Sequence, residues 1–447
     1  MRFLVVLLLP IVIFSYEWAP PQIVGTGRYS RFALDCYNRL WCLFSYDSLY
    51  GSFYENSQWS EPVPIFSGPS ISCLGGFDAT RAKDGKLWVL VCEEGFPEYY
   101  NTLYYDGSIW SDTFIIAGFT YHHLAADSIG KVWVVFDEGE DYRIWCDVCE
   151  DTVWSGPYVV CSYPTHDQVM GSNITVDPKG IRWAGATALH YPIEQIFLCH
   201  SDSTGAWSDS LIMGPQVHSG WLADILSDNN NNIWISWVDG NEDSIYTAYL
   251  DTNLNWSPYY LITQASRGSC NLAVDNENKV WIVYDKENNF YYRVWNGFEW
   301  YPEDSIVFPP ASSASNGAIF YDPIRDRIWI SFKTGGNDIY TTWTNPSSGI
   351  EKHQTFEAKH FMPEIYPNPA KSIIRVRYPW SDKGRRLIQA IKIFDVSGKP
   401  IKEIEILHSA QNDKPSGSEV TVSLKGITPG IYFLRLGTTI RKFLVVK

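Results

Sequence analysis

Five histidines crowd the middle of this 447-residue chain: His122, His123, His166, His190 and His218. Around them stand the carboxylates Glu138, Asp141, Asp167 and Glu194, and the aromatic residues Tyr121, Tyr163, Tyr191 and Trp221. Imidazole and carboxylate together can hold a divalent metal or move a proton near neutral pH. No pair of these histidines has the His-x-x-x-His spacing of a helical ligand pair, so the pattern names no metal, no cofactor and no catalytic residue. Binding asks for less. Flat aromatic faces cover sugar rings while neighbouring polar groups satisfy the hydroxyls. The five histidines with Tyr121, Tyr163, Tyr191 and Trp221 are therefore the candidate ligand-binding set.

The elements that must carry these residues are spelled out by tryptophan. One series, Trp41, Trp88, Trp133, Trp183, Trp234, Trp281 and Trp329, recurs every 45–51 residues, each in a short apolar strand such as KLWVLV or NIWISW. A second series, Trp18, Trp59, Trp110, Trp154, Trp207, Trp256 and Trp300, interleaves with it, often opening a Trp-Ser-x-Pro-like strand. A period of this length with four short strands per unit predicts blades of an antiparallel propeller. The unit from His122 to Val160 reads as strand, Gly turn, buried strand, loop, strand and strand. Between the first two strands recurs Asp-x-x-Gly-x-hydrophobic-Trp, as at Asp127 and Gly130 or Asp177 and Gly180. There Gly takes positive φ, and Asp serves as a turn bond or as a cation ligand.

Seven members in each series predict seven blades. The last unit lacks a Trp-Ser-x-Pro strand, and the missing piece stands near the start of the chain, at Trp18–Val24. An N-terminal strand completing the last blade would close the ring and cover exposed sheet edges. On blade polarity, the histidine-bearing loops share one face of that ring. The organisation expected is a signal peptide over 1–15, a propeller over 16–345, a linker over 346–363 and a small antiparallel Ig-like β-sandwich over 364–447. The signal reading rests on Arg2, the apolar run Phe3–Phe14 and the small Ser15. That run is short for a membrane span, so none is expected after cleavage.

Nine cysteines leave at least one unpaired, and no spacing repeats with the blades. Cys146 and Cys149 have C-x-x-C spacing, but on a predicted strand and without a second pair to complete a zinc site. Formal charge is −15 overall; residues 364–447 hold 15 Lys+Arg against 7 Asp+Glu, leaving −23 on the rest. Phosphate recognition needs the opposite sign, which sets nucleic acid aside as a partner.

The repeat resembles sialidase-like propellers, with Tyr105-Asp106-Gly107-Ser108-Ile109-Trp110-Ser111 the nearest copy of their Asp-Gly turn and Trp-Ser strand. The Asp-x-x-Gly-x-Val-Trp turn also resembles regulator-type and streptogramin-lyase-like propellers. These likenesses imply blade packing and no chemistry. The Ser201–Trp207 copy is one residue short, and no Phe-Arg-Ile-Pro-like segment begins an arginine triad.

Four C-terminal segments follow in order: Ile365-Tyr366-Pro367-Asn368-Pro369-Ala370, Ile391–Lys399, Leu424–Arg435 and Arg441–Lys447. Together they resemble the type A C-terminal sorting domain of the type IX secretion system. The resemblance implies an export address in a Gram-negative-type envelope. The secretion machinery and its sortase would read it at the outer membrane, after passage through the periplasm, and leave the cargo at the cell surface or released. Pro367, Asn368, Pro369, Asp395, Gly398, Gly430, Tyr432, Arg435, Lys442 and Lys447 would then belong to the sorting signal. Three functions are carried forward for the propeller: binding of extracellular glycan or polymer, a sialidase-like hydrolase or metal-dependent lyase, and a protein-docking scaffold. The absent arginine triad weighs against the second.

Overall fold

In a computed structural model the chain divides into two compact units, Met1–Lys352 and His353–Lys447. The structure describes residues 13–67, 77–93, 99–116, 120–137, 142–163, 168–189, 194–202, 205–208, 212–217, 220–240, 242–264, 270–287, 289–306, 315–348, 350–352, 364–366, 370–378, 390–394, 400–405, 418–436 and 439–446.

The first unit is a seven-bladed propeller of antiparallel sheets. Its inner strands, in blade order, are Tyr29–Leu34, Phe77–Arg81, Thr120–Ala126, Gln168–Val176, Gly220–Ser227, Cys270–Val274 and Ser315–Asp322. Each contacts the inner strand of the next blade, and the seventh contacts the first, so the ring is closed around an axial channel. Blade 7 is built from Ser315–Asp322, Arg327–Lys333, Asp338–Thr344 and, from the other end of the chain, Gln22–Thr26. Gln22 pairs with Thr341 and Ile23 with Tyr340. Upstream, Ala19 N–H donates to the Trp343 carbonyl at 2.8 Å, and Thr344 Oγ1 donates to the Glu17 carbonyl at 2.8 Å.

The two tryptophan series meet between blades. The second-strand indole of each blade packs against the outer indole of the next: Trp41 on Trp110 at 5.8 Å and 85°, Trp88 on Trp154 at 5.8 Å and 86°, Trp133 on Trp207 at 6.2 Å and 84°. Trp234 and Trp300 continue the series at 5.8 Å and 87°, and Trp329 and Trp59 at 5.6 Å and 77°. Trp183 shares a core cluster with Trp256, and Trp281 with Trp18. Edge-to-face pairs add about 0.5–1.5 kcal/mol each beyond area burial, so the interleaving seen in the sequence is an interlock repeated around the ring.

The turn aspartate is a structural fastener. In blade 3, Asp127 Oδ1 accepts from the backbone N–H groups of Ile129, Gly130 and Lys131, while Oδ2 accepts from Trp133 Nε1 at 2.9 Å. Asp35–Trp41, Asp177–Trp183, Asp228–Trp234 and Asp275–Trp281 repeat the side-chain bond. The residue at positive φ is Gly130 or Gly180 in two blades and Asn38, Asn231 or Asn278 in three others. With both oxygens so engaged, the cation-ligand reading of this Asp finds no support.

The outer strands differ from expectation. Only in blade 3 does the outer Trp open a continuous strand, Val153–Ser162. In blades 2, 4, 5 and 6 it makes a single bridge, and the fourth strand starts further on. In blade 5 the proline of the Trp-Ser-Pro run, Pro258, lacks the N–H that would continue the ladder.

The second unit holds two antiparallel sheets in sandwich form. One is Glu364–Tyr366, Ile373–Tyr378 and Ser418–Ser423; the other runs, in order, Pro400–Glu405, Ala390–Phe394, Gly430–Leu436 and Thr439–Val445. Ile374 and Val422 from the first and Ile393 and Leu434 from the second are buried. Gly430 pairs with Val445, Arg435 with Ile440, and Lys442 with Phe433. Tyr432 is buried, and its hydroxyl donates to the Thr428 carbonyl at 2.8 Å. Pro367, Asn368, Pro369, Asp395, Gly398 and Lys447 lie outside the described residues.

Candidate functional site

A register shift between Thr120 and His123 interrupts the inner strand of blade 3, and the two adjacent histidines both contact blade 2 at different depths. His122 is buried, its ring stacked at 3.3 Å from Tyr100 and 5.2 Å from Phe136. Burial holds it well below the usual imidazole pKa, so it is a neutral core residue between blades 2 and 3. His123 is part-exposed, and its Nδ1 lies 3.2 Å from Asp78 Oδ2 on the inner strand of blade 2. Tyr163 is buried against Phe197. Trp221 opens the inner strand of blade 5 and is 57% exposed, the one exposed tryptophan among the described residues. Tyr121 belongs to the blade 3 inner strand, with its side chain outside the description; His166, His190, His218 and Tyr191, with Glu138, Asp141 and Asp167, lie outside the described residues.

His123 belongs to a set that clustering by residue type does not reveal. It pairs in register with Val135, two residues after Trp133. The residues that pair with the same position in the other blades are Arg31, Asp78, Asn173, Asp224, Asn271 and Ala318. One level of the channel therefore carries Arg, Asp, His, Asn, Asp, Asn and Ala in blade order. On an inner strand the solvent such side chains meet is that of the channel. Arg31 is 32% exposed, Asp78 13% and His123 29% at the side chain.

Backbone bonds stitch this belt from blade to blade. Asp78 Oδ1 accepts from Ala79 N and Oδ2 from Leu124 N, at 2.9 and 2.8 Å. Asp224 Oδ1 accepts from Ile225 N and Oδ2 from Leu272 N, at 2.8 and 2.7 Å. Asn271 Nδ2 donates to the Gly317 carbonyl at 3.0 Å. Hydrogen bonding and the charges of His123 and Arg31, 3.7 Å away, outweigh burial at Asp78 and lower its pKa. At Asp224 burial dominates and raises it to about 6, despite its two N–H bonds and the field of His123 and Arg31. Asp224 makes no ion pair among the described residues.

At the mouth of the channel, Glu194 Oε2 accepts from Gly220 N at 2.8 Å, one residue before Trp221. Burial raises the Glu194 pKa, the Gly220 bond opposes this, and the nearby Asp239 adds to it. An exposed tryptophan thus follows directly on a backbone N–H held by a carboxylate, at the junction of blades 4 and 5. Among the described residues no three of His, Cys, Asp and Glu converge as a metal set. Cys146 and Cys149 fall in different inter-blade cores, the first with blade 4 and the second with blade 2. Strand alternation sends i and i+3 to opposite faces, so this C-x-x-C cannot chelate. Cys161 and Cys199 form a disulfide joining blades 3 and 4.

Residues 364–447 match the model of the secretion system C-terminal sorting domain. No curated protein matches the chain. Among solved structures, the BP39L lectin from Burkholderia pseudomallei is similar, at 12% identity and a TM-score of 0.58, over 74% of this chain and 98% of its own. An ulvan lyase is 12% identical with a TM-score of 0.51, covering 74% of this chain and 95% of its own. The NanB sialidase of Streptococcus pneumoniae is 11% identical with a TM-score of 0.41, over 75% and 71%. At these identities the likeness is one of fold. The chain is a seven-bladed propeller with a type IX sorting tail, which directs export to the cell surface or release. No helix among the described residues is long and apolar enough to cross a membrane.

Proposed function

We propose that the propeller is a cargo that binds an extracellular carbohydrate at the channel mouth of blades 4 and 5. The observation that carries this is Trp221. The other tryptophans among the described residues are buried or half-buried, whereas this one is open to solvent and directly follows Gly220, whose N–H donates to Glu194. A flat apolar face next to hydrogen-bonding groups is what a sugar ring needs. The fold likeness to a lectin and to a polysaccharide lyase accords with this reading. An exposed aromatic face suffices for binding, so binding is the reading put forward.

Export would follow removal of the N-terminal signal and passage through the periplasm. A chain ending at residue 363 should then stay inside the outer membrane, as cell fractionation would show; its arrival at the surface would sink the route. Binding is tested by a glycan array with the purified full chain. A saturable hit that Trp221→Ala weakens by about tenfold or more, with an unchanged melting temperature, is expected for loss of one stacking face. A hit indifferent to Trp221→Ala, or no hit at all, would remove the carbohydrate assignment and leave protein docking.

A further inference from the structure

The belt has two halves of three blades each. In blades 1–3 a carboxylate, Asp78, stands between two bases, Arg31 and His123. In blades 4–6 the equivalent carboxylate, Asp224, stands between two amides, Asn173 and Asn271. The first half thus shows that this level of the channel accommodates a cationic group beside such a carboxylate. In the second half no described side chain pairs with Asp224, on which Arg31 and His123 act without an ion-pair contact.

We infer that the blade 4–6 side of the channel receives a protonated primary amine, held against Asp224 between the side-chain amides of Asn173 and Asn271. The inference rests on the carbohydrate reading and narrows the ligand to a sugar carrying a free amine. An ammonium brings three donors and no acceptor. Asp224 keeps lone pairs beyond its two backbone bonds. Asn271 spends its Nδ2 on the Gly317 carbonyl, which leaves its Oδ1 as an acceptor. Asn173 Oδ1 takes one bond, from Ile174 N at 2.8 Å, and has a second lone pair. The excess of carboxylates over residues 1–363 draws cations to the same place. Burial raises the Asp224 pKa, with the fields of His123 and Arg31 acting against it, so a cation in direct contact would further stabilise the ionised form.

The test is calorimetric titration of the full chain with a glucosamine oligosaccharide, its N-acetylated form and a short aliphatic diamine. The amine sugar should bind about tenfold or more tighter than the acetylated one, the worth of a charge-assisted contact. That preference should vanish in Asp224→Asn. It should also vanish in Asn271→Lys, which places a tethered ammonium in the site and guards against a variant that merely misfolds. Equal binding of the two sugars, or a preference that survives both substitutions, would overturn the amine site while leaving carbohydrate binding intact. Binding of the diamine but of neither sugar, lost in both variants, would uphold the amine site and overturn the carbohydrate reading.

Discussion

Asp78 and Asp224 occupy the same position three blades apart, and each accepts one backbone N–H from its own strand and one from the next blade. Only their flanks differ. Between Arg31 and His123 the carboxyl is held below its ordinary value; between two amides it rises to about 6. The same backbone chemistry fixes both carboxylates, while their surroundings shift the pH at which each ionises: the fields of His123 and Arg31 prevail at Asp78 and burial prevails at Asp224. The stitching bonds explain why an acid is tolerated at both places. They do not explain why one of the two is left without a cation, and that difference is what gives the channel a polarity.

The largest effect that could break the comparison is on stability. Asp78→Ala strands two bases and the Leu124 N–H, and should cost about 3 kcal/mol at pH 7 in chemical denaturation. Asp224→Ala loses the same two bonds but also removes an uncompensated charge, so its cost at pH 7 should be nearer 1 kcal/mol. Equal costs would mean that the flanking residues do not matter.

Changing pH should shift the contrast, with a smaller effect. The folded pKa of Asp224 lies above the ordinary value of about 3.9, so the folded state holds this proton more tightly. Between those two values stability falls as pH rises, and the penalty is fully present at pH 7. The cost of Asp224→Ala should therefore grow by about 1 kcal/mol on going from pH 7 to pH 5. Asp78 works in the opposite sense: its contribution is present above the ordinary Asp range and is lost only as pH falls through its lowered value. The gap between the two variants should therefore narrow towards pH 5, and a gap that widens would show the sign at Asp224 to be wrong.

The fold was legible because tryptophan spacing and turn chemistry repeat seven times, and each copy supports the others. Closure was legible too, since Trp18 stands where an outer indole was missing and packs 5.4 Å from Tyr292. The belt was harder to see. In six blades it sits ten residues before the second-strand Trp: Arg31, Asp78, His123, Asn173, Asp224 and Asn271. Counting back from tryptophan would have found it. Grouping by histidine reaches only His123, because residue type ignores register, and it also takes in His122, which lies buried against Tyr100 beside a register shift. Blade 7 breaks the count by one, at Ala318, where its first turn carries an extra residue before Trp329. The outer strands are less legible: the Trp-Ser runs read as strand openings, yet in blades 2, 4, 5 and 6 the Trp makes only a single bridge. Proline accounts for the break in blade 5 but not in general, since the blade 3 strand runs on through Pro157.

The unequal halves of the belt are tested most directly by carboxyl-carbon NMR titration of the full chain, with the two signals assigned by Asp78→Asn and Asp224→Asn. The account predicts one midpoint near 6 for Asp224 and one below the ordinary aspartate range for Asp78. Two signals titrating together in the ordinary range would mean that the channel has no polarity, and the amine site would lose its physical basis.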